Sequence, residues 1–128
     1  MRALIDTHVF LRWVEGDRAL SRKARALIAD EANECLISVA SAWELAIKSG
    51  LGKIRLALPV RRYIAEHVAS NGFRVIDIEL AHAARVETLE PHHGDPFDRL
   101  LIAQAIEERI PIVTADAVFE KYGVERIW

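Results

Sequence analysis

An α/β domain around a mainly parallel sheet is the fold class this sequence predicts. Short apolar runs, "ALI" at 3–5, "CLIS" at 35–38, "RVIDI" at 74–78 and "PIVTA" at 111–115, alternate with longer stretches of helical periodicity. The chain has 128 residues, the size of one domain, and 52% of them are apolar, enough to bury a core. No repeat, linker or low-complexity tract interrupts it, so residues 1–128 are expected to form a single domain.

The first strand ends at Asp6, and a helix from about Thr7 to Glu15 is stopped by Gly16. Ser21 starts a second helix with Ala24, Leu27 and Ile28 on one face. After the second strand, Ser38 or Ser41 caps a helix that ends near Gly50; its expected inward stripe is Val39, Trp43, Ala46 and Ile47. Pro59 opens a helix that Gly72 closes. Residues 79–89 are expected to be helical with Leu80, Ala83, Ala84 and Leu89 inward. Asp95–Arg109 is a strong helical pattern, Ala117–Tyr122 a helical turn, and "VERIW" a short last strand.

Several classes of protein are disfavoured by composition. A net charge of −2 lacks the basic excess of a tight, nonspecific nucleic-acid binder. The single cysteine, Cys35, lies in an apolar run and reads as a core thiol of a reducing compartment. No cysteine–histidine zinc pattern is present. The longest stretch free of charged residues, Cys35–Trp43, is too short to span a bilayer, and "MRALIDTHVF" turns polar at Asp6, unlike a signal peptide. These features together predict a cytoplasmic protein without membrane partners.

The acids carry the chemistry. Asp95 before Pro96 has the form of a helix N-cap. Asp98 shares a helical stripe with Leu101, Ile102 and Ala105, where a carboxylate is costly unless paired or metal-bound. Glu44 lies beside Trp43 and four residues before Lys48, the spacing of a helical ion pair. Asp6 and Asp116 each follow a strand and could each cap what comes next. In an open parallel sheet, ligands bind outside the carboxyl ends of strands, so acids from distant parts of the chain meet there. Carboxylates so gathered repel one another unless a cation is present, and hard oxygen donors suit Mg²⁺ or Mn²⁺.

The stretches "LIDTHVFLRW", "SVASAWELAIKSGLGKIRL", "HHGDPFDRLLIAQA" and "IVTADAVFEKYGV" resemble, in order and spacing, the PIN-domain ribonucleases, and specifically the VapC-type toxins of toxin–antitoxin pairs. The resemblance spans nearly the whole chain. It implies a three-layer α/β/α sandwich and endonucleolytic cleavage of RNA dependent on Mg²⁺ or Mn²⁺. It also implies a homodimer and a cognate VapB-like antitoxin. Carried over position by position, Asp6, Glu44, Asp98 and Asp116 are the catalytic, metal-binding acids. Asp95 and Thr114 are accessory candidates, Asp95 either assisting the metal or only capping its helix.

Arg12, Lys48, Lys53 and Arg99 are candidate phosphate contacts, with solvated surface charge as the alternative. His8, His92 and His93 could touch RNA or assist catalysis, but the loop pair His92–His93 is expected to be exposed and not catalytic; Trp13 and Trp43 are expected to be packed rather than free to stack on a base. The alternative function is a receiver-like phosphoacceptor domain. It would need an acidic pair after the first strand, where Asp6 is followed by Thr7 and His8, and a lysine after a late strand, which is missing.

Overall fold

The computed structural model describes residues 1–128. Five strands, β1 (Arg2–Ile5), β2 (Glu34–Ser38), β3 (Arg74–Ile76), β4 (Ile112–Val113) and β5 (Arg126–Ile127), form one all-parallel sheet in the order β3-β2-β1-β4-β5. Six α-helices accompany it: α1 (Thr7–Glu15), α2 (Arg22–Ala29), α3 (Val39–Gly50), α4 (Val60–Asn71), α5 (Leu80–Arg85) and α6 (Pro96–Glu108). Two 3-10 segments cover Val86–Thr88 and Ala117–Tyr122. No helix is long and apolar enough to cross a membrane.

Alternation along the strands builds two cores. Ala3, Ile5, Cys35, Ile37, Val113 and Ile127 point to one side of the sheet, where they meet Phe10, Ala24, Ile28 and Tyr63 of α1, α2 and α4. Leu4, Leu36 and Ile112 point to the other, against Leu101, Ile102 and Ala105 of α6 and against Phe119. The result is the expected α/β/α sandwich. Phe10 packs edge-on against Tyr63 and Phe73, with ring centroids 6.0 and 6.1 Å apart. Cys35 is buried as expected, and burial pushes its thiol up to about 11.

The strand order sets the position of the site. From β1 the chain winds outward to β2 and β3, then returns to place β4 on the other side of β1. The carboxyl ends of β1 and β4 thus flank the point where the winding reverses, the usual ligand crevice of such sheets. Asp6 N–H donates to the Val113 carbonyl at 3.1 Å, which holds the two strand ends together.

Two helices are rotated relative to the expected phase. In α3 the buried residues are Ala40, Ser41, Glu44 and Leu45; Trp43 is 54% exposed, and Ala46 and Ile47 also face outward. The inner face of α3 carries Ser41 and Glu44 beside Ala40 and Leu45, so Trp43 and Ile47 are left outside. In α5, Leu80 is 85% exposed, Ala83 and Ala84 are outward, and the buried residue is His82, whose Nδ1 accepts the Glu79 N–H at 3.0 Å. This short helix docks by a buried imidazole and the capping box it forms.

Candidate active site

Each acid is placed by the backbone turn at the end of a strand or the start of a helix. Asp6 caps α1, its Oδ1 accepting the His8 N–H at 2.9 Å, while Oδ2 accepts the Thr114 hydroxyl at 2.5 Å. Thr114 Oγ1 in turn accepts the Asp116 N–H at 3.1 Å, so one hydroxyl links the ends of β1 and β4. Asp116 caps the 3-10 segment through Val118 N–H. Asp95 caps α6, accepting from the N–H groups of Phe97 and Asp98 at 2.8 and 3.3 Å. That capping role is the one its Asp-Pro context implied, and Asp98 follows one turn inward.

Glu44 is 1% exposed, deeper than a surface ion pair would put it. Its Oε2 meets Lys48 Nζ at 2.5 Å, and its Oε1 has no hydrogen-bond partner. Contact with Glu44 raises the Lys48 ammonium above its ordinary value, so Lys48 stays charged. Lys48 is thus bound to an acid of the cluster rather than free on the surface.

The tightest grouping contains a residue that the sequence favours as merely exposed. His93 Nε2 lies 3.0 Å from Asp98 Oδ2 and 2.9 Å from Asp116 Oδ2. One ligand atom from each of His93, Asp98 and Asp116 falls within 4.8 Å of the others. Asp6 and Glu44 stand outside that set but close enough to act on it electrostatically. Burial, then the negative charges of Asp6 and Asp95, push the Asp98 carboxyl up to about 7; Glu44 adds to the rise and His93 opposes it. Burial would also raise Asp6, but hydrogen bonds from His8 and Thr114 outweigh it and hold that carboxyl below its ordinary value. Asp6, 3.6 Å from His8 Nδ1, raises the His8 imidazole.

These features fit a divalent cation. The acids offer hard oxygen donors, one buried carboxylate oxygen is orphaned, and one carboxyl is pushed up to about 7 by burial and by its neighbours' charge. A cation would relieve both costs. Arg12 lines a recess of about 230 Å³ with Asp6, His8 and Asp116, a suitable place for a phosphate beside the acids.

Polar pairs buried behind the acids hold the helices in register. Thr7 Oγ1 donates to Ser41 Oγ at 2.7 Å, tying α1 to α3. Ser38 caps α3 through Ala40 N–H and donates to Gln104 Oε1 at 2.5 Å; Gln104 Nε2 donates to the Asp77 carbonyl. No local sequence signal marked Gln104, since its partners lie on β2 and beyond β3.

Arg99 does not reach toward solvent as a phosphate contact would. Its guanidinium donates to the carbonyls of Val86, Leu89, Glu90 and His93 at 3.0–3.3 Å and closes the loop that carries His93. A lysine has a point charge with three donors and cannot match this planar fan. Arg99→Lys is expected to cost about 1–3 kcal/mol and to speed hydrogen exchange at the His93 and Asp95 amides. Unchanged exchange in the variant would show that the loop is held by other means. His92 is exposed with its ring 5.2 Å from that of Tyr122, and Trp13 Nε1 donates to Asn71 Oδ1 at 2.9 Å.

An all-parallel α/β sandwich with carboxylates converging at its reversal point defines a class of proteins with an acid-lined crevice. The PIN domain family model matches residues 3–125, and the chain belongs to the PIN-domain family. It is 36% identical over 117 residues to ribonuclease VapC22 of Mycobacterium tuberculosis, covering 88% of this chain and 85% of that protein. Two solved complexes share the fold. VapBC2 from Rickettsia felis, bound to a DNA fragment from its promoter, matches with a TM-score of 0.70 at 16% identity over all of both chains. DNA-bound VapBC from Salmonella typhimurium matches with a TM-score of 0.70 at 17% identity, over 98% of this chain and 96% of that one. Family membership sets the receiver-like alternative aside.

Proposed function

We propose that this chain is a divalent-metal-dependent endoribonuclease and the toxin of a VapBC-type toxin–antitoxin pair, with residues 1–128 acting as one nuclease domain. The observation that carries this is the convergence of acids around Asp98 in a PIN domain 36% identical to a VapC ribonuclease. Asp6, Glu44, Asp98 and Asp116 are the residues that hold the cation, and Mg²⁺ or Mn²⁺ suits their oxygen donors. A cation held there would supply Lewis acidity at a phosphate oxygen and lower the pKa of a water.

The chain's own residues do the rest. Thr114 fixes the orientation of the Asp6 carboxylate and the path of the backbone to Asp116. Asp95 aims the first turn of α6, and with it Asp98. Arg12, beside the acids, engages a phosphate of the RNA backbone. Trp43, Ile47 and Leu51 form an exposed apolar stripe along α3, suited to a protein partner, either a second copy in a homodimer or a VapB-like antitoxin. The cytoplasm, where RNA and a co-expressed antitoxin are both met, is the expected compartment.

The deciding experiment is a Mn²⁺ titration of the purified chain against a mixed pool of structured RNA, with Asp98→Asn alongside. Wild-type protein is expected to cut only with metal, leaving 5′-phosphate ends, and the variant to leave the pool intact. Equal cleavage by both, or cleavage surviving chelation, would refute the assignment.

A further inference from the structure

His93 sits where a nitrogen ligand for a borderline metal ion would be expected, with two carboxylate oxygens at 2.9 and 3.0 Å from Nε2. Its other ring nitrogen argues for a different role. Nδ1 accepts the Asp95 backbone N–H at 3.1 Å and therefore carries no proton. The neutral ring then has its proton on Nε2, the nitrogen that both carboxylates approach. Ligation through Nε2 would require stripping that proton or breaking the Asp95 bond by exchanging the tautomer.

The ring is also held in place. Its edge-to-face partner is Phe119, with centroids 5.7 Å apart. The His93 N–H donates to the Tyr122 hydroxyl at 2.8 Å, and the His93 carbonyl accepts from Arg99 at 3.2 Å. With its ring packed on Phe119, Nδ1 tied to the Asp95 N–H and its backbone held on both sides, His93 keeps the direction of its Nε2–H when the carboxylates move.

We propose that His93 is a displaceable hydrogen-bond donor: in the metal-free chain its Nε2–H holds Asp98 and Asp116 together, and once a hard divalent cation takes those carboxylates it donates to an RNA phosphate oxygen instead. The proposal rests on the ribonuclease assignment above and deepens it. Two consequences follow. With nitrogen withheld, the donor set is all oxygen, which favours Mg²⁺ and Mn²⁺ over Zn²⁺ or Co²⁺. Metal and RNA also become coupled, each raising the other's affinity by the same factor.

Mn²⁺ binding followed by electron paramagnetic resonance tests this in wild type, His93→Ala and His93→Gln. Binding of a cleavage-resistant phosphorothioate RNA pool is measured with and without Mn²⁺. Without RNA, His93→Ala is expected to bind Mn²⁺ about tenfold tighter, because a competing donor is gone, and to lose about tenfold of the Mn²⁺-dependent gain in RNA affinity. His93→Gln keeps an N–H donor and should lie nearer wild type in both. Weaker Mn²⁺ binding by His93→Ala, or a histidine nitrogen coupling to Mn²⁺ in pulsed spectra of the wild type, would make His93 a ligand and overturn the proposal. The pulsed spectra decide the matter even if the alanine variant does not fold. Wild type that binds both probes while His93→Ala matches it would defeat this inference alone; wild type that binds neither would defeat the ribonuclease assignment as well.

Discussion

Replacing Asp98 with asparagine is expected to abolish RNA cleavage and, at the same time, to stabilise the metal-free protein. Asp98 sits on the buried stripe of α6, and burial together with the charges of Asp6, Asp95 and Glu44 raises its carboxyl to about 7. In the unfolded chain the group returns to 3.8. Between those values the folded state binds the extra proton, so this group stabilises most in acid, and its contribution is lost as pH rises through 7. At about pH 8 the ionised side chain is a liability that an amide removes. The expected gain is about 1–2 kcal/mol, allowing for solvent screening at the site. On the proposed assignment of Asp98 to the cation, cleavage should fall by more than about a hundredfold. Urea unfolding in chelator at about pH 5.5 and about pH 8 reads the stability; the wild type should lose stability between them and the variant less. A variant that unfolds more easily at pH 8 would show that Asp98 is not held against its neighbours.

The same exchange at Asp6 is expected to act in the opposite direction on stability. Asp6 accepts the His8 N–H on one oxygen and the Thr114 hydroxyl on the other. Asparagine replaces one acceptor with an amide donor. Either the buried Thr114 hydroxyl or the His8 N–H then loses its acceptor, depending on which way the amide faces. Asp6→Asn is therefore expected to destabilise the fold by about 1–3 kcal/mol while also eliminating cleavage. The Asp6 carboxyl is held below its ordinary value, so its contribution is present above about pH 4 and disappears as pH falls through its folded value. The difference between wild type and Asp6→Asn should accordingly shrink as pH falls below about 4. Equal stability of the two proteins near neutrality would mean that the hydrogen bonds around Asp6 contribute nothing net.

Much of this arrangement is legible in the sequence because its signals are local. Asp95 before Pro96 spells a helix start. The spacing of Asp98 with Leu101, Ile102 and Ala105 puts a carboxylate on a buried face. Asp6 and Asp116 sit directly after or just beyond apolar strands. The orientation of α3 was not legible. Hydrophobicity places Trp43 and Ile47 inside, yet the helix turns Ser41 and Glu44 inward to meet Thr7 and the other acids. Where the inner face of a helix builds a polar site, its apolar moment points outward. The role of His93 was hidden for a different reason. It depends on Arg99 gathering carbonyls up to 13 residues away in the chain and on Asp116 arriving from β4, and no spacing rule encodes either.

Strand order also sets when the site can form as the chain is made. β1 is the central strand, yet its neighbour β4 is contributed by residues 112–113, and Asp116 follows immediately. During translation, Asp6, Glu44 and Asp98 leave the ribosome first, on a sheet whose middle strand still has one side unpaired. The crevice gains its second wall only when residues 112–116 have emerged and β4 has paired with β1, so the acids from the earlier part of the chain are gathered late in folding.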